Sequence, residues 1–130
     1  MYGTTVERCV MLAADHVRKP DVVVYDKTDL DVFAAECTPV DKVKLAVEVV
    51  STGSRSDDRI RKPALYAEAG VPSYWRVELE DDRRIAVQEF WLPVGERAYI
   101  PAPLHPVHRE KLVTEVPFPM EIDLTTLLTG

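Results

Sequence analysis

The segment from Lys42 to Trp75 constrains this chain most, because KVKLAVEVV sets one acid, Glu48, among strong β-formers and a charged helical stretch follows it. Strand alternation puts Val43, Leu45, Val47 and Val49 on one face and Lys44, Ala46, Glu48 and Val50 on the other. Glu48 therefore enters whatever the second face packs against. Ser51, Thr52, Gly53 and Ser54 make a turn, and Ser54 or Ser56 is placed to cap a helix reaching about Glu68, with Gly70 as its left-handed stop. Pro63 falls within that span, so the regular helix either starts just before it or is kinked there.

The remaining sequence reads mainly as strands. Thr5 to His16 mixes apolar and polar positions loosely, as a strand does more readily than a helix. Pro20 introduces Asp21, which stands at the entrance of the β-branched run Val22 to Tyr25. Asp26 to Asp41 is a polar, exposed connection with a helical turn around Val32 to Glu36. Ser73 to Glu78 forms a strand, an acidic turn covers Glu80 to Arg83, and the alternation from Ile85 to Trp91 makes a half-buried hairpin partner. Ala98 to Pro101 and Lys111 to Val116 are expected to form a further pair, and Asp123 to N-cap a short terminal helix. This order gives an α/β (α+β) fold, a mixed sheet with one principal helix packed on it.

At 130 residues, 46% of them hydrophobic, the chain fits one domain with a real core. A net charge of −6 argues against a protein that coats nucleic acid, although Arg55, Arg59, Arg61 and Lys62 form a local cluster able to hold phosphate. Cys9 and Cys37 have no CxxC spacing and read as reduced and structural. With no charged-then-apolar leader and no apolar run near the ~20 residues that span a bilayer, a soluble cytoplasmic protein is expected. His16, His105 and His108 lack a shared metal-ligand spacing and are expected at the surface or in loops. Tyr74, Trp75, Phe90 and Trp91 are expected in the core or an interface.

Asp21 and Glu48 lie on separate strands, and if those strands are neighbours their carboxylates can serve one magnesium ion, which prefers oxygen ligands and keeps several positions for water and substrate. Asp58, Lys62 and Tyr66 are four residues apart and share a helical face, which gives Lys62 a route to the same place. The plain alternative is an exposed Asp58–Lys62 ion pair worth ~0.5 kcal/mol, with Tyr66 in the core.

Three stretches, PDVVV, AVEVVS and DRIRKPALYAEAGVPSYWRVE, resemble the Uma-two family of restriction-endonuclease-like proteins within the PD-(D/E)xK nuclease superfamily. The resemblance runs closely from Arg18 to Glu78 and more loosely through VPFPMEIDL. It implies a restriction-endonuclease-like domain and an endonuclease that hydrolyses DNA phosphodiester bonds with magnesium or manganese. Asp21 and Glu48 match the metal-binding acids, and Lys62 matches the family's lysine moved from strand to helix. Asp58, Tyr66 and Ser51 are supporting positions. The chain departs from the pattern at Val50, where E-x-K would place lysine, in the loop Ser51-Thr52-Gly53-Ser54, and in a short N-terminal part. These departures support the alternative of a catalytically inactive nuclease-fold module acting in dimerisation or in nucleic-acid or protein binding; a homodimer would also cover an unpaired sheet edge.

Overall fold

In the computed structural model, residues 2–6, 10–13, 16–18, 21–26, 38–51, 61–79, 84–103 and 105–125 are described. The first strands are β1 (Tyr2–Val6), β2 (Val10–Ala13), β3 (His16–Arg18), β4 (Val22–Asp26), β5 (Thr38–Pro39) and β6 (Val43–Ser51). Helix α1 (Lys62–Glu68) follows, then β7 (Ser73–Leu79), β8 (Ile85–Trp91), β9 (Ile100–Pro101), β10 (Val107–His108), β11 (Lys111–Thr114) and β12 (Met120–Asp123). The main sheet has seven strands in the order β1-β4-β6-β7-β8-β10, with β9 added beside β8. Only β6 and β7 among these pairs are parallel. That pairing follows from α1, because parallel neighbours need a crossover whereas a tight turn suffices for antiparallel ones. The fold is the expected mixed sheet with one helix.

Two apolar layers cover the sheet. On the helix face, Tyr66 of α1 joins Val23, Tyr25, Ala46 and Tyr74, and Val10 reaches this cluster from the small sheet β3-β2-β5. On the other face, Leu112 and Leu124, at the β11–β12 hairpin, pack with Leu45, Val47, Trp75 and Val87. Tyr74 and Trp75 are core residues, as expected, and point into opposite layers.

Two local expectations are corrected. Val43 does not share a face with Leu45 and Val47: the β4–β6 register slips between Val24 and Tyr25, leaving Lys44 as an extra residue and turning Val43 into the helix-side cluster. A one-residue bulge reverses which face the following side chain meets. Ile100–Pro101 pairs with β8 rather than with β11, whose partner is β12. The hairpin is the shorter connection, and its alternation buries Leu112 and Thr114 while Lys111 and Val113 stay exposed.

Pro63 resolves as part of the helix start, at N1/N2 of α1, where a missing amide costs nothing. At the other end Gly70, with φ 90°, lets its own N–H bond Ala67 O and the N–H of Val71 bond Tyr66 O, at 3.0 and 3.1 Å. This paired stop turns the chain directly into β7. The capping serines Ser54 and Ser56, the helical turn at Val32 to Glu36, the turn from Glu80 to Arg83, both cysteines and the end of the terminal helix lie outside the described residues. Asp123 does accept the backbone N–H of Thr125 at 3.0 Å, the bond expected of an N-cap.

One histidine is also corrected. His108 is buried, with its Nε2 2.9 Å from Glu89 Oε1, and Glu89 itself is only 2% exposed. The second oxygen, Oε2, accepts from Trp91 Nε1 at 2.9 Å and from Thr114 Oγ1 at 2.5 Å. Glu89 thereby ties β8 to β10 and to the hairpin through one carboxylate. A buried carboxylate survives only when donors replace water, and removing it orphans those donors in turn.

Glu89→Ala is expected to lower the unfolding free energy by ~3 kcal/mol or more, read from urea denaturation, because two buried partners and one part-buried partner lose the carboxylate at once. A second expectation concerns pH. The Thr125 hydroxyl at 2.6 Å, with its backbone N–H, holds the Asp123 carboxyl below its ordinary range. The folded-state value is the lower one, so this stabilisation exists above the unfolded pKa and disappears as pH falls through the folded one. NMR titration of Asp123 should give a midpoint below the ~3.9 of unstructured aspartate, and Thr125→Val should move it upward.

Candidate active site

Glu48 sits on the helix-facing side of β6, between Ala46 and Val50, and is 5% exposed. The crossover lays α1 above this strand, and the four-residue spacing on α1 aims Lys62 and Tyr66 the same way. Tyr66 donates its hydroxyl to Glu48 Oε1 at 2.9 Å, from a ring that is itself 1% exposed. Lys62 Nζ stands 3.9 Å from Glu48 Oε2, with its side chain about one-third exposed. The buried acid therefore has a hydrogen-bond donor on one oxygen and a water-accessible ammonium near the other, which offsets part of its desolvation. At 3.9 Å the ion pair is longer than a direct hydrogen bond.

Asp21 arrives from the neighbouring strand. The register pairs Val22 with Val47, and Asp21, one residue earlier, accepts the backbone N–H of Val49 at 2.7 Å through Oδ2. Its carboxylate is thus fixed to the β6 backbone directly after Glu48. The two acids singled out from sequence belong to adjacent strands, and Lys62 stands beside the second.

Val50 takes the strand position two residues after Glu48. It is 3% exposed on Glu48's face of β6, in a position where an ammonium would have to shed its water. The same charge delivered from α1 keeps solvent access. Asp58 lies outside the described residues. Ser51 closes β6, and nothing further is described of its side chain.

The sequence reading missed the continuation of this row. Glu48 pairs with Arg76 of β7, and Arg76 pairs with Gln88 of β8. Arg76 donates from Nη2 to Gln88 Oε1 at 2.6 Å and from Nε to Glu78 Oε1 at 3.1 Å, while Gln88 Nε2 donates to Glu78 Oε2 at 3.2 Å. The guanidinium also lies 5.4 Å from the centre of the Phe90 ring. A signal was present: period-two counting from Tyr74 puts Arg76 and Glu78 on one face of β7. Behind the row, Tyr66, Tyr74 and Tyr99 form a stacked series with ring centres 5.9 and 5.6 Å apart. The Tyr99 hydroxyl donates to Val71 O at 2.8 Å, and burial pushes its pKa far above the usual phenol range, so it remains a donor at any working pH.

The sequence matches the Uma2 family model, described as "Putative restriction endonuclease", over residues 2–125. The fold is similar to a crystal structure from Anabaena variabilis ATCC 29413 described as "a putative nuclease belonging to DUF820". The TM-score is 0.62 at 13% identity, over 98% of this chain and 68% of that one. No curated protein matches the sequence.

Tyr66→Phe keeps the ring in the stack and removes one donor from a buried carboxylate, so a loss of ~1–3 kcal/mol in unfolding free energy is expected from chemical denaturation. A change under a few tenths of a kcal/mol would show that the hydroxyl does not hold Glu48.

Proposed function

We infer that this chain, which belongs to the Uma2 family, is a metal-dependent endonuclease that hydrolyses phosphodiester bonds in DNA. The observation that carries this reading is the buried Glu48 carboxylate, engaged by Tyr66 and Lys62 and followed on its strand by the amide that Asp21 grips. A strand carboxylate buried at this depth at the helix-to-sheet junction has no structural necessity; an apolar residue would pack there at lower cost.

The donor set suits magnesium, or manganese in its place. Both prefer carboxylate oxygen, and magnesium is commonly held by one or two carboxylates with water and substrate phosphate completing the shell. Among the described residues no cluster of three or more His, Cys, Asp or Glu side chains could hold a metal. Asp21 and Glu48 would accordingly hold the ion between them. When bound, such an ion polarises the phosphodiester and acidifies the attacking water.

The chain's own residues supply the rest. Tyr66 fixes the rotamer of Glu48, and the Asp21–Val49 bond fixes the first acid relative to the strand. Lys62, whose side chain is about one-third exposed, would stabilise a phosphate whose charge grows as the water oxygen bonds to phosphorus. The bond from phosphorus to the leaving sugar oxygen then breaks. That oxygen takes up a proton, and the water's proton departs to solvent.

Glu48→Gln is expected to abolish magnesium-dependent cleavage of plasmid DNA with the fold retained, and undiminished cleavage by that variant would reject the assignment. Lys62→Ala should retain metal binding in calorimetry and lose ~100-fold or more in cleavage rate, the scale on which a single charge-stabilising group contributes. Millimolar magnesium or manganese that fails to bind the folded wild-type chain would leave the catalytically inactive module as the better reading.

A further inference from the structure

Beside the Glu48 site a pocket of about 300 Å³ opens, lined by Pro63, Ala64, Arg76, Phe90, Arg97 and Tyr99. It adjoins the centre on two sides: Pro63 follows Lys62 on α1, and Arg76 is the cross-strand neighbour of Glu48. Its volume is at the low end of the ~300–1,000 Å³ typical of small-ligand sites, about enough for one nucleotide. Its walls combine two chemistries. Proline, alanine and aromatic carbons give an apolar surface, and two guanidinium groups come from different parts of the chain. Arg76 is held in place by Glu78, Gln88 and the Phe90 ring, and Arg97 is exposed. A flat apolar group carrying a phosphate fits both.

We propose that this pocket receives one nucleotide of the substrate next to the bond being cut, and that the substrate is therefore presented as an unpaired strand. The proposal rests on the nuclease reading above and adds to it the form of the polynucleotide. In a duplex each base is stacked and paired, and placing one in a pocket costs a few kcal/mol of unstacking that a single strand does not incur. The charge distribution points the same way. Glu78 and Glu96 stand next to Arg76 and Arg97, and the chain carries a net charge of −6. At the pocket itself the arginines alternate with acids and form no continuous basic stripe, whereas the two backbones of a duplex place one negative charge every ~1.7 Å. A strand held at one phosphate and one base needs no such stripe.

The test measures binding separately from cleavage. A fluorescein-labelled twelve-nucleotide DNA, single-stranded or annealed into a blunt duplex, is titrated with the full chain in calcium buffer at fixed low salt. Anisotropy is expected to show the single strand bound at least ten-fold more tightly than the duplex. Arg97→Glu should weaken single-strand binding at least ten-fold, and Ala64→Trp, which fills the pocket from α1, should do the same with an unchanged melting temperature. Equal or tighter duplex binding, or unaltered single-strand affinity in Arg97→Glu, overturns the proposal. Loss of cleavage in Glu48→Gln is read independently, so a nuclease without the pocket preference and a strand-binding protein without nuclease activity give different results.

Discussion

Everything in this fold turns on the parallel pairing of β6 with β7. Two strands running the same way oblige the chain to cross over between them, and among the described residues that connection contains α1. Within that connection α1 settles over β6, against Ala46 and Tyr74. Tyr66 then anchors the helix in the core, and the same residue donates to Glu48. Packing and chemistry are thus fixed by one side chain. The ring is buried by apolar contact, and its hydroxyl makes the neighbouring carboxylate tolerable in a layer that excludes water.

The two faces of the sheet show the same solution applied twice. On the helix side a buried glutamate is met by tyrosine and lysine; on the hairpin side a buried glutamate is met by histidine, threonine and tryptophan. The difference lies in what remains accessible. Glu89 is enclosed by donors from three strands and serves to join them, whereas Glu48 has beside it an ammonium that is one-third exposed. A buried acid is structural when its surroundings are closed and becomes a candidate for chemistry when a mobile charge and solvent reach it.

Asp21 and Glu48 were legible as candidates because each breaks a local pattern: Glu48 interrupts a β-branched strand and Asp21 precedes one. Lys62 was legible through helical spacing alone, and Pro63, which looked awkward inside a helix, turned out to mark its start. Arg76 was harder to see because an arginine in a half-buried strand reads as an ordinary solvent-facing residue. Its meaning comes from register, which brings Glu48, Arg76 and Gln88 into one row across three strands, β6, β7 and β8. The Glu89–His108 pair was hidden for the same reason: nineteen residues separate its members, and only the strand order joins them. The face of Val43 depended on a bulge that alternation by itself does not reveal.

The place of Lys62 on the helix, rather than on the strand of Glu48, has a further consequence for how the candidate site holds together. On a single strand, acid and cation would share the rigidity of the sheet and would persist or fail as a unit. Here the acids stand on or beside the central strands of the sheet, while the ammonium is carried by α1, whose stability comes from its packing partners. The assembled site therefore has two stabilities, that of the sheet and the smaller one of α1 docked on it. Loosening α1 from the sheet would separate the ammonium from the acids, so a chain with an intact sheet would lack the arrangement proposed for its chemistry.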